Sequence, residues 1–211
     1  MKIPLSKQLK KRVHLELAML QDEVMDIIYS LCRNDPPVLH GGTAIWRCYD
    51  GKRFSEDLDF YGSLEKDFKE KLRNAVNARG FVLEKYKQTN NTVFAKISNG
   101  ATVVKLEIAL RKALEKTVKH YEKTDGSVID IYTLSAETLI IEKINAYNGR
   151  RYIRDIYDVY YLSSFTEKID RKIMQRFIDN IEMPIDEKNL RTLIYSGVAP
   201  SFEQIVSALK R

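Results

Sequence analysis

Two acidic residues, Asp57 and Asp59, stand two apart in the run Arg53-Phe54-Ser55-Glu56-Asp57-Leu58-Asp59-Phe60-Tyr61. Polar and apolar residues alternate there as in a half-buried strand. Both carboxylates therefore project from one face. Two carboxylates so placed repel each other unless a cation sits between them, and all-oxygen donors select Mg²⁺ or Mn²⁺ over softer metals. Upstream, Val38-Leu39-His40 runs into Gly41-Gly42-Thr43. Glycines at that point let a ligand approach the backbone. The first amides of a helix opening there point at an anion, a phosphate above all, and Thr43 offers a hydroxyl. A third acid, Glu107, lies in the apolar run Lys105-Leu106-Glu107-Ile108. A charge buried in such a strand needs a partner or a metal. These residue types together describe phosphate chemistry beside a hard cation.

The elements that must position these groups follow from periodicity and breakers. Leu9, Val13, Leu17, Leu20, Val24, Ile27 and Leu31 recur at helical steps and predict one long first helix. Asp35-Pro36-Pro37 ends it. A strand at 38–40, a helix from Thr43 to about Tyr49, a turn at Asp50-Gly51 and a strand at 57–61 carry the motif. A helix over 64–79 closes on Gly80. Strands are expected at 81–86, 92–97 and 102–110, with Asn90-Asn91 and Asn99-Gly100 as turns, and a short one near 128–132. From Ser135, a good N-cap, the pattern is helical: 135–147, 152–163, 170–181, 187–195 and 201–210. The expected organisation is a mixed α/β part over 1–132 and an all-helical part over 133–211, with a ligand cleft between the layers.

Composition sets outer limits. The chain has 211 residues, 44% hydrophobic and 30% charged, which suits a folded core and argues against intrinsic disorder. No run approaches the ~20 apolar residues a membrane span requires, and the basic start leads into no apolar signal segment. Two cysteines, Cys32 and Cys48, lack metal spacing and read as reduced thiols of a cytoplasmic protein. His14, His40 and His120 read as structural or surface residues. The net charge of +6 suits an anionic partner without identifying one.

The Gly-Gly-Thr…Arg-x-Ser-x-Asp-x-Asp-Phe run resembles the polymerase-β-like nucleotidyltransferases and, among them, the AbiEii/AbiGii toxin family. The run Glu142-Lys143…Arg150-Arg151-Tyr152-Ile153-Arg154-Asp155-Ile156-Tyr157-Asp158 is also similar to that family. The resemblance covers roughly 38–162. It departs in the thirteen residues between Thr43 and Asp57 and in having Glu, not Asp, as third acid. It implies an α/β (α+β) nucleotidyltransferase core with a helical C-terminal domain, in which Asp57, Asp59 and Glu107 hold Mg²⁺ or Mn²⁺ and act catalytically. Gly41, Gly42, Thr43, Lys143 and Arg154 are then the nucleotide contacts, Lys143 and Asp155 join the catalytic set, and Asp158 orients Lys143 or Arg151. The implied reaction moves a nucleotide from an NTP to an acceptor hydroxyl, the 3′ end of an RNA such as tRNA. The basic first helix and the Arg150-Arg151-Arg154 cluster are the expected phosphate contacts. The implied setting is a toxin with a cognate antitoxin protein. Two other readings stay open from the residues alone: nucleotidylation of a protein or small molecule, and a non-catalytic nucleotide- or RNA-binding module.

Overall fold

The structure, a computed structural model, describes residues 3–113, 115–166 and 169–210. A short helix α1 (Leu5–Gln8) precedes α2 (Arg12–Leu31). The single first helix expected from periodicity is thus broken at Leu9–Lys11. Leu9 is buried there and Val13 is exposed, so the apolar spacing runs on while the helix restarts. Strand β1 (Val38–His40) leads into α3 (Gly41–Cys48) and β2 (Leu58–Tyr61) follows. Helix α4 (Phe68–Ala78) comes next, and Gly80 takes the left-handed conformation, φ +75°, that stops it. Strands β3 (Val82–Gln88), β4 (Thr92–Ser98), β5 (Val103–Ala109), β6 (Thr117–Glu122) and β7 (Val128–Thr133) complete the sheet. Strand β6 was not expected, because only Tyr121 in it is fully buried and no apolar alternation marks it.

The helical part contains α5 (Ala136–Arg150), α6 (Ile153–Ser163), α7 (Arg171–Asp179), a 3-10 turn at Glu187–Asn189, α8 (Leu190–Leu193) and α9 (Phe202–Leu209). Ser135 caps α5 by accepting the Thr138 N–H at 3.2 Å. The helix expected over 187–195 is shortened to the 3-10 turn and α8. Ile194 leaves the helix to bridge Arg53, and the Phe54 N–H donates to Leu193 O at 2.8 Å.

Among the described residues seven strands form one mixed sheet in the order β3-β4-β5-β2-β1-β7-β6. Strand β2 is central. It pairs antiparallel with β1, placing Asp59 opposite His40, and parallel with β5, placing Asp59 opposite Glu107. Helices α2 and α4 cover the face that carries Val104, Leu106 and Ile108. On the opposite face Val103, Lys105 and Glu107 are exposed. No helix among the described residues is long and apolar enough to cross a membrane.

Candidate active site

Helix α3 begins on Gly41, whose φ of +73° only glycine adopts without strain. A Cβ on Gly41 would fall 2.8 Å from Asp59 Oδ2, and one on Gly42 would fall 2.6 Å from Ser55 Oγ and 2.7 Å from Arg53 Nη2. The glycine pair therefore lets the helix start sit directly against the acidic strand and the Arg53–Ser55 segment. Thr43 is fully buried, and its hydroxyl donates to Asp57 O at 2.5 Å. The sequence reading of that hydroxyl as a phosphate donor is corrected here: it ties α3 to the start of β2. Gln21 on α2 holds the same segment, donating to Ser55 O at 3.0 Å and Glu56 O at 2.9 Å.

A cleft of about 530 Å³ opens between the sheet and α5–α6. Gly41, Gly42, Asp57, Asp59 and Glu107 line one wall, and Lys143, Arg150 and Arg154 line the other. Desolvation raises the Asp59 pKa above the usual aspartate value; the charges of Asp57 and Glu107 add to this, and those of His40 and Lys143 oppose it. Glu107 is exposed in the cleft, not buried among the apolar residues of its strand as its sequence neighbours suggested, because alternation puts it on the open face. Asp57 turns toward Lys105, Nζ to Oδ1 3.4 Å. Three carboxylates facing one cleft are the donor chemistry of a hard divalent cation. Among the described residues they are not drawn into a closed three-ligand group.

The basic wall is tied down by buried acids. Lys143 Nζ lies 2.9 Å from Asp158 Oδ2 and 3.5 Å from Asp155 Oδ1, and both aspartates are fully buried. Arg53 grips Asp158 through Nε at 2.6 Å and Nη2 at 2.5 Å. Burial pushes the Asp158 carboxyl up, yet Arg53 and Lys143 together hold it below the usual aspartate value. Asp155 accepts two hydrogen bonds from Arg150, 2.7 and 2.9 Å, and does not line the cleft. In this structure it is a buried counter-ion to Arg150 and Lys143. Within the expected arginine cluster, Arg150 is paired in this way and Arg151 pairs with Glu182. Arg154 lies over Tyr152, 5.5 Å from the ring centroid, and reaches the cleft. At the start of α2, its N-cap Lys11 donates to Thr192 O at 3.1 Å and Arg12 pairs with Glu16 at 2.6 Å. Neither residue lines the cleft.

Sequence reasoning missed a second polar group in the cleft. His40 stacks on Tyr61, centroids 3.9 Å apart and planes within 4°. His40 Nδ1 lies 3.3 Å from Glu142 Oε2, and the Tyr61 hydroxyl donates to Glu142 Oε1 at 2.6 Å. Burial raises the Glu142 pKa, but the hydrogen bonds and charge of His40, with Tyr61 and Lys143, bring it below the usual glutamate value. Arg111 donates to the Tyr61 hydroxyl at 2.7 Å and caps its ring at 4.4 Å. The available signal for His40 was its place next to Gly41; nothing local marked Tyr61 or Arg111.

A mixed sheet that sets its acids on two neighbouring strands beneath a Gly-Gly helix start, facing lysine and arginine from a helical layer, is the architecture of a nucleotidyltransferase. The chain belongs to the AbiEii nucleotidyl transferase toxin family, Type IV toxin–antitoxin system, whose model matches residues 33–197. Its fold is similar to that of JHP933 from Helicobacter pylori (TM-score 0.62, 21% identity, 92% of this chain and 89% of that one). It is also similar to a second H. pylori protein, assigned provisionally as a nucleotidyltransferase (TM-score 0.64, 22% identity, 92% of both chains). A search of curated proteins finds no match.

Proposed function

We propose that this nucleotidyltransferase transfers a nucleotide from an NTP to the 3′-terminal hydroxyl of an RNA, a tRNA in particular, and that it does so in the cytoplasm as the toxin partner of an antitoxin protein. The observation that supports this reading is the opposition of charge across one cleft: Asp57, Asp59 and Glu107 on the sheet, and Lys143, Arg150 and Arg154 on the helices. An acidic wall alone would repel a triphosphate, and a basic wall alone would bind one without activating it.

Asp57 and Asp59, with Glu107, are the residues that would hold Mg²⁺ or Mn²⁺. The ion would supply charge neutralisation for the triphosphate and a lower pKa for the attacking hydroxyl. Gly41 and Gly42 bring the first amides of α3 to the phosphates. Lys143, fixed by Asp155 and Asp158, places one ammonium over them without side-chain reorganisation. Arg154 supplies a second cation at the cleft mouth. Catalysis of this kind is mostly positioning and electrostatic stabilisation.

The test is incubation of the protein with each labelled NTP, Mg²⁺ and total tRNA. Label enters RNA with the wild type and is lost with Asp59→Ala. Label that enters a protein band or a small molecule instead, or no transfer with any nucleotide, overturns the RNA acceptor.

A further inference from the structure

The register of β3, β4 and β5 places three lysines in a row. Lys85 is the partner of Lys96, and Lys96 is the partner of Lys105. All three lie on the open face, opposite the apolar face that α2 and α4 cover. The row ends at the catalytic cleft, where Lys105 reaches Asp57 at 3.4 Å. The next row along the same face holds Lys87, Phe94, Glu107 and Asp59 as successive register partners. Among the described residues no ion pair engages Lys85, Lys87 or Lys96. Lys85 Nζ instead lies over the Phe94 ring, 5.7 Å from its centroid.

Like charges directly opposite one another across strands destabilise a sheet. Two such pairs in one row, with no carboxylate between them, work against folding and need another explanation. Adjacent strands are ~4.8 Å apart, so the row spans about 10 Å at its backbone and more through its long side chains. That is a short track of positive charge with an aromatic ring beside it, the combination that follows a nucleic-acid backbone while a base stacks.

We propose that the open face of β3–β4–β5 is the platform on which the acceptor RNA lies. In this arrangement Lys85 and Lys96 contact its phosphates, Phe94 stacks a base, and the strand runs toward the cleft past Lys105. The proposal deepens the RNA-acceptor reading and rests on it for the direction of the strand, not for the existence of the platform. A phosphate backbone fits better than an acidic protein surface because the face pairs a cationic row with an aromatic ring on which a base can stack.

The experiment measures binding of fluorescein-labelled tRNA to the full chain and to Lys85→Gln/Lys96→Gln across a salt series, beside label transfer under the conditions above. Lys105 is left alone because it pairs with Asp57. Each phosphate contact contributes ~0.7–0.9 to the slope of log affinity against log salt. The double variant therefore loses about 1.5 of slope, and its affinity near 150 mM salt falls on the order of tenfold. The urea midpoint of the variant stays at or above that of the wild type, since repulsion is relieved, which separates lost contact from lost fold. A wild-type slope in the double variant overturns the platform, as does a wild-type protein that binds no RNA. Weakened binding in the variant together with no label on RNA in the wild type upholds the platform and overturns the RNA-acceptor reading alone.

Discussion

Arg53 and Asp158, 105 residues apart in the chain, meet in a two-pronged ion pair of 2.6 and 2.5 Å that joins the loop before the acidic strand to α6. Lys143 shares the same carboxylate at 2.9 Å. Removing Asp158 leaves two cations buried without their main partner. Breaking a buried pair in this way costs ~3–5 kcal/mol, about 10 °C in a domain of this size. Asp158→Ala is expected to melt lower by that amount, with a matching fall in urea midpoint. The acid limb of stability changes as well. A carboxyl held below its ordinary value stabilises the fold fully above the unfolded value, and that stabilisation is lost as pH falls through the native value. Asp158→Asn abolishes this contribution, so its stability against pH is flatter below the ordinary aspartate range than that of the wild type.

That ion pair also marks the limit of what the sequence made legible. Asp57, Asp59, Gly41 and Gly42 lie close enough in the chain for local spacing to place them, and Ser135 announced α5 by its cap. Glu107 could be put on a strand, but its exposure depended on which face of the sheet the helices cover. Thr43 had the right chemistry for phosphate and the wrong direction, because its rotamer answers to Asp57 O and not to solvent. Asp158 was expected to orient Lys143 or Arg151, and it does contact Lys143; its grip on Arg53 and that of Asp155 on Arg150 needed the fold. The lysine row required the pairing register of three strands, which no local pattern encodes.

Thr43 gives a direct test of the corrected role. A phosphate ligand, when removed, raises KM for the nucleotide. A hydroxyl that fixes Asp57 O acts on the geometry of the acids and lowers kcat. Thr43→Val is therefore expected to lower kcat with KM for NTP nearly unchanged, and to lose ~1–3 kcal/mol from the unmatched buried carbonyl. Thr43→Ser keeps the donor and restores most of both. Steady-state kinetics on the three proteins checks this, and a KM effect dominating in Thr43→Val would return the hydroxyl to the phosphates.

Asp59 combines burial with two acidic neighbours, which is why its pKa is raised. A charge held against its environment is a cost the ligand-free protein carries for function. Asp59→Asn removes the charge while keeping the shape. The expected result is a ligand-free protein about 1 kcal/mol more stable at neutral pH, with nucleotide transfer reduced at least about 100-fold. Urea titration and the labelling assay measure the two effects separately. Loss of both stability and activity would mean that Asp59 is held by partners that favour its charged form.

Gly42 tests whether the glycine pair serves packing between site elements and not turn geometry alone. Gly42 is absent from the positive-φ positions, whereas Gly41 is among them at +73°. Alanine at Gly42 therefore meets no backbone penalty; its Cβ meets Ser55 Oγ at 2.6 Å and Arg53 Nη2 at 2.7 Å. Ser55 can rotate away. Arg53 cannot move without loosening both of its bonds to Asp158, and Asp158 in turn holds Lys143. The strain from one methyl group thus passes to the Lys143 ammonium. Overpacking of this sort costs ~1–3 kcal/mol, and a misplacement near 1 Å costs about 100-fold in rate. Gly42→Ala is expected to lose both. In Gly42→Ala/Arg53→Lys the shorter lysine head vacates the space the methyl needs. If packing against Arg53 is the cause, the methyl costs less in the Arg53→Lys background than in the wild type, measured as the difference between the two urea midpoints. Equal costs in both backgrounds would place the strain on Ser55 instead.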